Sequence, residues 1–179
     1  SSFLFIQALF NANADARALV VAPKNVIYNW LKERDACPWS PSFSMQVIDS
    51  SQHLLLTQMD WETKGGVLVL TYDLVKMHKD LQPDMLVMDE AHTLGNKSTH
   101  RTQEIATIKA PIKIALTGTP LSNSILEMLN IVRIVQPDFF TGNALLDDEA
   151  FLRAEFKNPI EKGVSNDASP ADVAQARRL

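Results

Sequence analysis

The chain has 179 residues, of which 46% are hydrophobic and 21% are charged, and these values suit one cooperative globular domain rather than a disordered chain. Its formal net charge of -4 excludes a protein that coats nucleic acid through bulk positive charge, so any phosphate contact must be local. The single cysteine, Cys37, excludes an internal disulfide and favours a reducing compartment, the cytosol or the nucleus.

The first ten residues, Ser1–Phe10, are mostly apolar, and the following Ala12-Asn13-Ala14 imitates a signal-peptidase site. A secretory signal would also need an initiating Met and a basic start, which this sequence lacks, so a buried helix explains the segment better. No run approaches the roughly 20 apolar residues that span a bilayer, and we expect no membrane segment.

Five short runs rich in Val, Ile and Leu are predicted to be strands, and segments with helical spacing alternate with them. The predicted strands are Ala18–Ala22, Met45–Ile48, Val67–Thr71, Met85–Met88 and Ile112–Leu116. The predicted helices are Ser2–Asn11, Asn25–Asp35, Gln52–Trp61, Ser98–Lys109 and Leu121–Val135.

Several of these strands are apolar at consecutive positions, which indicates a parallel sheet covered by helices on both faces. Right-handed crossovers then give a doubly wound α/β fold whose ligands bind at the carboxyl ends of the strands. Residues 1–146 are expected to form this domain. The tail, residues 147–179, is expected to begin as a helix over Asp148–Phe156 and then to form a polar excursion or the start of a linker, because Asn158-Pro159 and Gly163 follow.

The most informative segment is the apolar run Met85–Met88 followed directly by Asp89 and Glu90. Carboxylates at the end of a buried strand are costly unless a cation or a hydrogen-bond donor meets them. Mg²⁺ bound to nucleotide phosphates is such a cation, and it accepts one or two carboxylates plus waters. In isolation, an Asp-Glu pair would more often only favour a helix N-terminus by charge–dipole attraction.

With Ala91 and His92, the pair completes a DEAH box, the signature of nucleotide-driven helicases and translocases. A second apolar strand ends in Thr117-Gly118-Thr119-Pro120 about 25 residues later. These hydroxyls could sense the phosphate state through the acidic box, although the tetrapeptide alone would be read as a capped strand-to-helix turn.

Together these segments resemble motifs II and III of the Swi/Snf-type chromatin-remodelling ATPases of helicase superfamily two. DEAH-box RNA helicases carry Ser-Ala-Thr where this chain has Thr117-Gly118-Thr119-Pro120 with Leu121 following, a pattern typical of double-stranded-DNA translocases. The resemblance runs from Ser2 to Thr141. Scattered residues of the tail resemble the branch that contains ATRX.

Upstream, Leu19–Lys24 with Asn29-Trp30 resembles motif Ia, and Leu70–Asp73 resembles motif Ib. The resemblance implies that Pro23, Lys24, Trp30 and Tyr72 contact the DNA backbone, where Lys24 can meet a phosphate. For Trp30 the stronger alternative is a core anchor of its helix, and for Tyr72 a buried position is equally compatible with the sequence.

The family resemblance implies a RecA-like lobe that uses ATP and Mg²⁺. Asp89 would hold Mg²⁺ through water, Glu90 would orient and deprotonate the attacking water, and His92 with Thr117–Pro120 would couple the site to a second RecA-like lobe. The partners implied are double-stranded DNA and nucleosomes, with no membrane. The implied roles are helicase-like ATP hydrolysis, chromatin remodelling and DNA repair in the nucleus.

One departure from the family pattern is the lack of a Walker loop, Gly-x-x-x-x-Gly-Lys followed by Ser or Thr, whose amides and lysine cradle phosphates. In the family this loop would precede Ser1, and we therefore expect the chain alone to bind ATP poorly and to hydrolyse it negligibly. Two alternatives remain: a non-catalytic DNA- or protein-binding pseudo-ATPase lobe, and an unrelated α/β enzyme that uses Asp89 and Glu90 on another phosphorylated substrate.

Overall fold

The structure is a computed structural model, and it describes residues 2–50, 54–77, 80–96, 98–118, 125–140, 148–163, 165 and 168–178. The chain divides into two compact units. The first comprises Ser1–Ala91 with Ser98–Gly118, and the second comprises His92–Lys97 with Thr119–Leu179. The domain boundary expected at residue 146 stays a prediction. Among the described residues, no helix is long and apolar enough to cross a membrane.

The first unit alternates strands and helices. Its strands are β1 (Arg17–Ala22), β2 (Met45–Ile48), β3 (Gly66–Thr71), β4 (Met85–Met88) and β5 (Ile112–Ala115). Its helices are α1 (Ser2–Ala12), α2 (Asn29–Asp35), α3 (Leu54–Lys64), α4 (Tyr72–Val75) and α5 (His100–Thr107). The predicted strands are confirmed to within one residue at each end.

All five strands are parallel and lie in the order β2-β3-β1-β4-β5. In the centre of the sheet, Val21 of β1 pairs with Leu70 of β3 on one side and with Met88 of β4 on the other. Met88 in turn pairs with Ala115 of β5. This register brings the carboxyl ends of four neighbouring strands to one rim, where a doubly wound sheet binds its ligands.

Helices cover both faces of the sheet, as the consecutive apolar residues predicted. On one face, alternate residues of β1 join a core cluster with the apolar sides of α1 and α2: Phe3, Ile6, Phe10, Ala18, Val20, Ala22, Ile27 and Trp30. Leu19 and Val21 point to the opposite face because strand side chains alternate, and both are also fully buried. The expected α/β architecture with a flanked parallel sheet is confirmed.

Helix α2 begins four residues later than the spacing predicted. Residues Lys24–Tyr28 form turns instead, in which the Val26 amide donates to the Pro23 carbonyl at 3.0 Å and the Asn29 amide donates to the Val26 carbonyl at 2.9 Å. These hydrogen bonds span three residues rather than four, which tightens the backbone before the helix starts. The turn therefore continues directly into α2.

The second unit contains α6 (Ile125–Val135), α7 (Glu149–Leu152), a π-helical segment (Arg153–Lys157), α8 (Asn158–Gly163) and α9 (Pro170–Ala176). The tail is helical after residue 156 as well, in α8 and α9, and its expected role as an excursion and linker toward a second lobe stays a prediction. A Cβ on Gly163 would overlap Ala176, so this glycine allows two helices to approach closely rather than ending the ordered chain. Ser169 and Asp172 form a capping box that starts α9.

Candidate functional site

Asp89 lies at the carboxyl end of β4, at the rim where the sequence analysis placed it. All four residues of β4 are buried, and the Asp89 amide continues the ladder by donating to the Val21 carbonyl at 2.8 Å. The side chain itself is half-buried. The fold therefore presents this carboxylate beside the ends of the two central strands.

The position of Asp89 is set by three hydrogen bonds. The indole Nε1 of Trp30 donates to Asp89 Oδ2 at 2.9 Å, and the Glu90 amide donates to Asp89 Oδ1 at 3.0 Å. The hydroxyl of Tyr72 donates to the Asp89 carbonyl oxygen at 2.7 Å. Because a carboxylate oxygen has more than one lone pair, each can still accept a hydrogen bond from water.

Glu90 has the backbone conformation that non-glycine residues rarely adopt. Its φ is 50°, and among the residues that the structure describes it alone, apart from glycines, has a positive φ. Such a conformation costs roughly 1–3 kcal/mol and persists only where surrounding contacts impose it. Here the next residue is held in place, since the Ala91 amide donates to the Leu116 carbonyl at 2.8 Å. Backbone strain of this kind concentrates at functional sites.

The end of β5 lies against this acidic turn. The Leu116 amide donates to the Met88 carbonyl at 2.8 Å, so Leu116 is bonded to both sides of the Asp89–Glu90 pair. Thr117 follows and is half-buried, and Gly118 is exposed. Thr117 thus reaches the same rim as Asp89. Thr119 and Pro120 of the expected coupling motif lie outside the described residues.

His92 belongs to the second compact unit and is described there by itself. It lies in the 3₁₀ turn Ala91–Leu94, is half-buried, and its carbonyl accepts a hydrogen bond from the Gly95 amide at 3.1 Å. Its expected coupling role stays a prediction.

Pro23 and Lys24 follow β1 at the same rim. Pro23 is half-buried, whereas Lys24 is exposed at the start of the turn that leads into α2. A lysine there is free of the core and can reach an anionic backbone, which is the arrangement that the proposed phosphate contact requires.

Trp30 and Tyr72, by contrast, are internal. Trp30 is 7% exposed and its ring packs against Phe3 at a centroid distance of 5.4 Å. Tyr72 is 4% exposed, and the guanidinium of Arg101 lies over its ring at 5.4 Å. The structure places both rings in the core, as the buried alternative for each residue states, and contact of either residue with nucleic acid stays a prediction.

Two further features of the rim were missed from sequence. Arg101 covers Tyr72 and also lies 3.4 Å from the Asp73 carboxylate. Tyr28 is 48% exposed, and its hydroxyl donates to Asp49 at 2.8 Å, a bond that raises the pKa of Tyr28 above its ordinary value. Asp49 directly follows β2 as Asp89 follows β4, and that repeated position is the signal that could have identified it.

The donor set at the rim fits a magnesium ion bound to nucleotide phosphates. Asp89 presents one carboxylate there, and Mg²⁺ in proteins accepts one or two carboxylates together with waters and phosphate oxygens. Among the described residues, no group of three or more His, Cys, Asp or Glu side chains could hold a metal ion.

The comparison with protein families decides the relationship of the chain. A family model described as the SNF2-related domain matches residues 2–171. The chain belongs to the SNF2-related domain family. Its predicted relationship to the Swi/Snf ATPases is confirmed.

Relatives of this SNF2-related domain are large chromatin and repair proteins. The chain is 33% identical over 182 residues to protein CHROMATIN REMODELING 20 of Arabidopsis thaliana, a match that covers 87% of this chain and 12% of the relative. It is 27% identical over 188 residues to the DNA excision repair protein ERCC-6-like of Danio rerio, a match that covers 98% of this chain and 12% of that protein. It is 28% identical over 200 residues to the transcriptional regulator ATRX of Mus musculus, a match that covers 96% of this chain and 8% of that protein. The ATRX-like branch stays a prediction.

A solved structure shares the fold. The Sulfolobus solfataricus SWI2/SNF2 ATPase core, determined in complex with double-stranded DNA, matches with a TM-score of 0.69 and 22% identity, covering 98% of this chain and 35% of that one. The RecA-like α/β fold of this SNF2-related domain is thereby confirmed. The chain spans only 12% of the length of CHROMATIN REMODELING 20 and of the ERCC-6-like protein, and 8% of the length of ATRX.

Proposed function

We propose that this SNF2-related domain is the first RecA-like lobe of an ATP-dependent double-stranded-DNA translocase of the chromatin-remodelling kind. The observation that carries the proposal is the convergence at one rim of Asp89, the strained Glu90, Thr117 and the exposed Lys24. Family membership supports it, as do relatives whose names specify chromatin remodelling and DNA excision repair.

In this proposal the two carboxylates have different roles. Asp89, held by donors on both oxygens, orients waters around a magnesium ion, which would neutralise charge on the ATP phosphates. Glu90 positions the attacking water and accepts its proton. The backbone bonds on either side of Glu90 hold its main chain at the rim, from which the side chain would position the water.

The remaining rim residues would connect nucleotide turnover to DNA. Thr117 to Pro120 and His92 would transmit the state of the phosphates to a second RecA-like lobe. Lys24, with Pro23 shaping its turn, would meet a DNA phosphate, since the chain's charge of -4 allows only local contacts. Nucleosomes as a substrate and the nucleus as the location belong to the same proposal.

The test is Glu90→Gln in a protein that contains this chain together with a phosphate-binding loop and a second lobe. ATP turnover should fall by about 100-fold or more, because a general base contributes about that much, while the dissociation constant for ATP stays nearly unchanged. The matched control is Glu62→Gln on the exposed surface of α3, which should leave turnover unaltered. An unchanged rate in Glu90→Gln would refute the role of Glu90.

A further inference from the structure

The indole of Trp30 has two properties, burial and a hydrogen bond to Asp89, and the proposed function assigns no role to either of them. Its ring is buried in the core beneath the sheet rim, yet its polar atom, Nε1, donates to the carboxylate of Asp89 at 2.9 Å. An indole N–H is only a donor, and a buried donor without an acceptor is costly. The bond therefore fixes both partners: the ring cannot release Asp89 without leaving its own N–H unsatisfied.

We infer that Trp30 is a positioning residue that orients the Asp89 carboxylate and links it to the turn that carries Lys24. The inference rests on the proposed function, because it specifies how the same site responds to DNA.

The mechanical connection runs through a short stretch of backbone. Trp30 is the second residue of α2, and the turn from Lys24 to Tyr28 leads straight into that helix through the Pro23–Val26 and Val26–Asn29 hydrogen bonds. If DNA displaces the turn, the first turn of α2 should therefore move with it. The Trp30 ring packs against Phe3 in a dense core, which opposes a change of rotamer. The movement of α2 would therefore also shift the indole N–H that contacts Asp89 Oδ2.

Asp89 is also held by a residue at the end of β3, the strand on the far side of β1. Tyr72, which directly follows β3, donates its hydroxyl to the Asp89 carbonyl, and the Glu90 amide occupies Oδ1. The Tyr72 hydroxyl thus holds the backbone carbonyl, and the Glu90 amide holds Oδ1. Trp30 holds Oδ2, and it is therefore the contact that sets the rotation of the carboxylate about the Cβ–Cγ bond. DNA contact at the Lys24 turn would thus change the geometry that Asp89 offers to magnesium-bound water.

A matched pair of variants separates positioning from packing. Trp30→Phe removes the N–H while keeping an aromatic ring against Phe3. Trp61→Phe removes the N–H of another buried indole, which donates to the Gly66 carbonyl at 2.9 Å at the amino-terminal end of β3, the end of the strand opposite the rim that carries Asp89. Both variants lose the hydrogen bond of a buried indole, so only an effect specific to Trp30 can be assigned to Asp89.

The first readout needs no nucleotide. In protein labelled with ¹⁵N at its indoles, the Trp30 resonance, assigned by its loss in Trp30→Phe, should move when Asp89 is replaced by Asn, since a neutral amide is a weaker acceptor than a carboxylate. The Trp61 resonance should stay in place. A Trp30 resonance that does not respond to Asp89→Asn would overturn the inference even in a protein that hydrolyses ATP.

The second readout is the magnesium dependence of ATP turnover, with and without duplex DNA. Trp30→Phe should raise the Mg²⁺ concentration for half-maximal turnover by about 10-fold or more, the usual effect of removing a partner that orients a metal ligand, and should reduce the stimulation by DNA. Trp61→Phe should retain the wild-type values of both. Wild-type magnesium dependence and DNA stimulation in Trp30→Phe would overturn the inference alone, whereas absence of Mg²⁺-dependent turnover in the wild type would overturn the proposed function.

Discussion

Replacing Glu90 by glycine and, in parallel, by alanine is expected to reveal the backbone cost of the turn at residue 90. Both variants remove the carboxylate and every contact of its side chain, so their difference reports the main chain alone. At φ 50° an alanine keeps the left-handed penalty of roughly 1–2 kcal/mol, and a glycine does not. Glycine also loses roughly 0.5–1 kcal/mol because its unfolded chain is freer.

The expected result is that Glu90→Gly is more stable than Glu90→Ala by about 0.5–1 kcal/mol in the free energy of unfolding. The same pair at Glu62, an exposed residue of α3, should give the opposite sign, with glycine less stable than alanine by roughly 0.5–1 kcal/mol. Urea denaturation, with the dependence on denaturant fitted for each variant, measures both differences. If glycine is the less stable substitution at residue 90 as well, the strained turn does not exist in solution.

Two other predictions concern the rim and the tail. Lys24→Gln should weaken binding to duplex DNA of any sequence. It should also reduce, by about one, the slope of the logarithm of the binding constant against the logarithm of the salt concentration. Lys64→Gln, on the amino-terminal side of β3, should change neither the affinity nor this slope. In the tail, hydrogen bonds from the Ser169 hydroxyl and amide hold the pKa of Asp172 below its ordinary value. The ionised Asp172 carboxylate therefore stabilises the fold fully above the unfolded pKa of about 4, and this stabilisation is lost as the pH falls through the folded pKa. Asp172→Ala should therefore lower the free energy of unfolding near neutral pH and converge with the wild type in acid, as denaturant titrations at several pH values would show; equal pH dependence in the two proteins would contradict this.

The sheet and the position of the acidic pair could be predicted because both depend on local sequence. Residues of Met85–Met88 are all apolar, as a strand buried on both faces requires, and two carboxylates directly after such a strand can only emerge at its carboxyl end. The parallel order of the strands follows from the alternating helices. For these features the sequence and the structure agree closely.

The partners of Asp89 could not be predicted, because they come from distant parts of the chain. Trp30 is 59 residues away and Tyr72 is 17 residues away, and neither periodicity nor composition indicates which buried donor meets which carboxylate. The sequence favoured a buried ring for Trp30 and left the position of Tyr72 open, since motif position alone does not distinguish a ring on the surface from one beneath it.

The tail shows the opposite limitation. Gly163 is one of the residues that predict an excursion or the start of a linker, because glycine is common in turns, but packing against Ala176 gives it a structural reason to lie in a helix. The Ser169–Asp172 capping box was visible in the sequence and would have indicated the start of α9.

We propose that Asp89 and Glu90 face a magnesium–ATP complex at the carboxyl rim. A crystal structure of the protein that contains this chain, bound to Mn²⁺ and a non-hydrolysable ATP analogue, would test this proposal, because anomalous scattering locates the metal. We expect a metal peak one water molecule away from the Asp89 carboxylate, with the terminal phosphate facing Glu90. A nucleotide bound with its metal remote from Asp89, or at the opposite end of the strands, would contradict it.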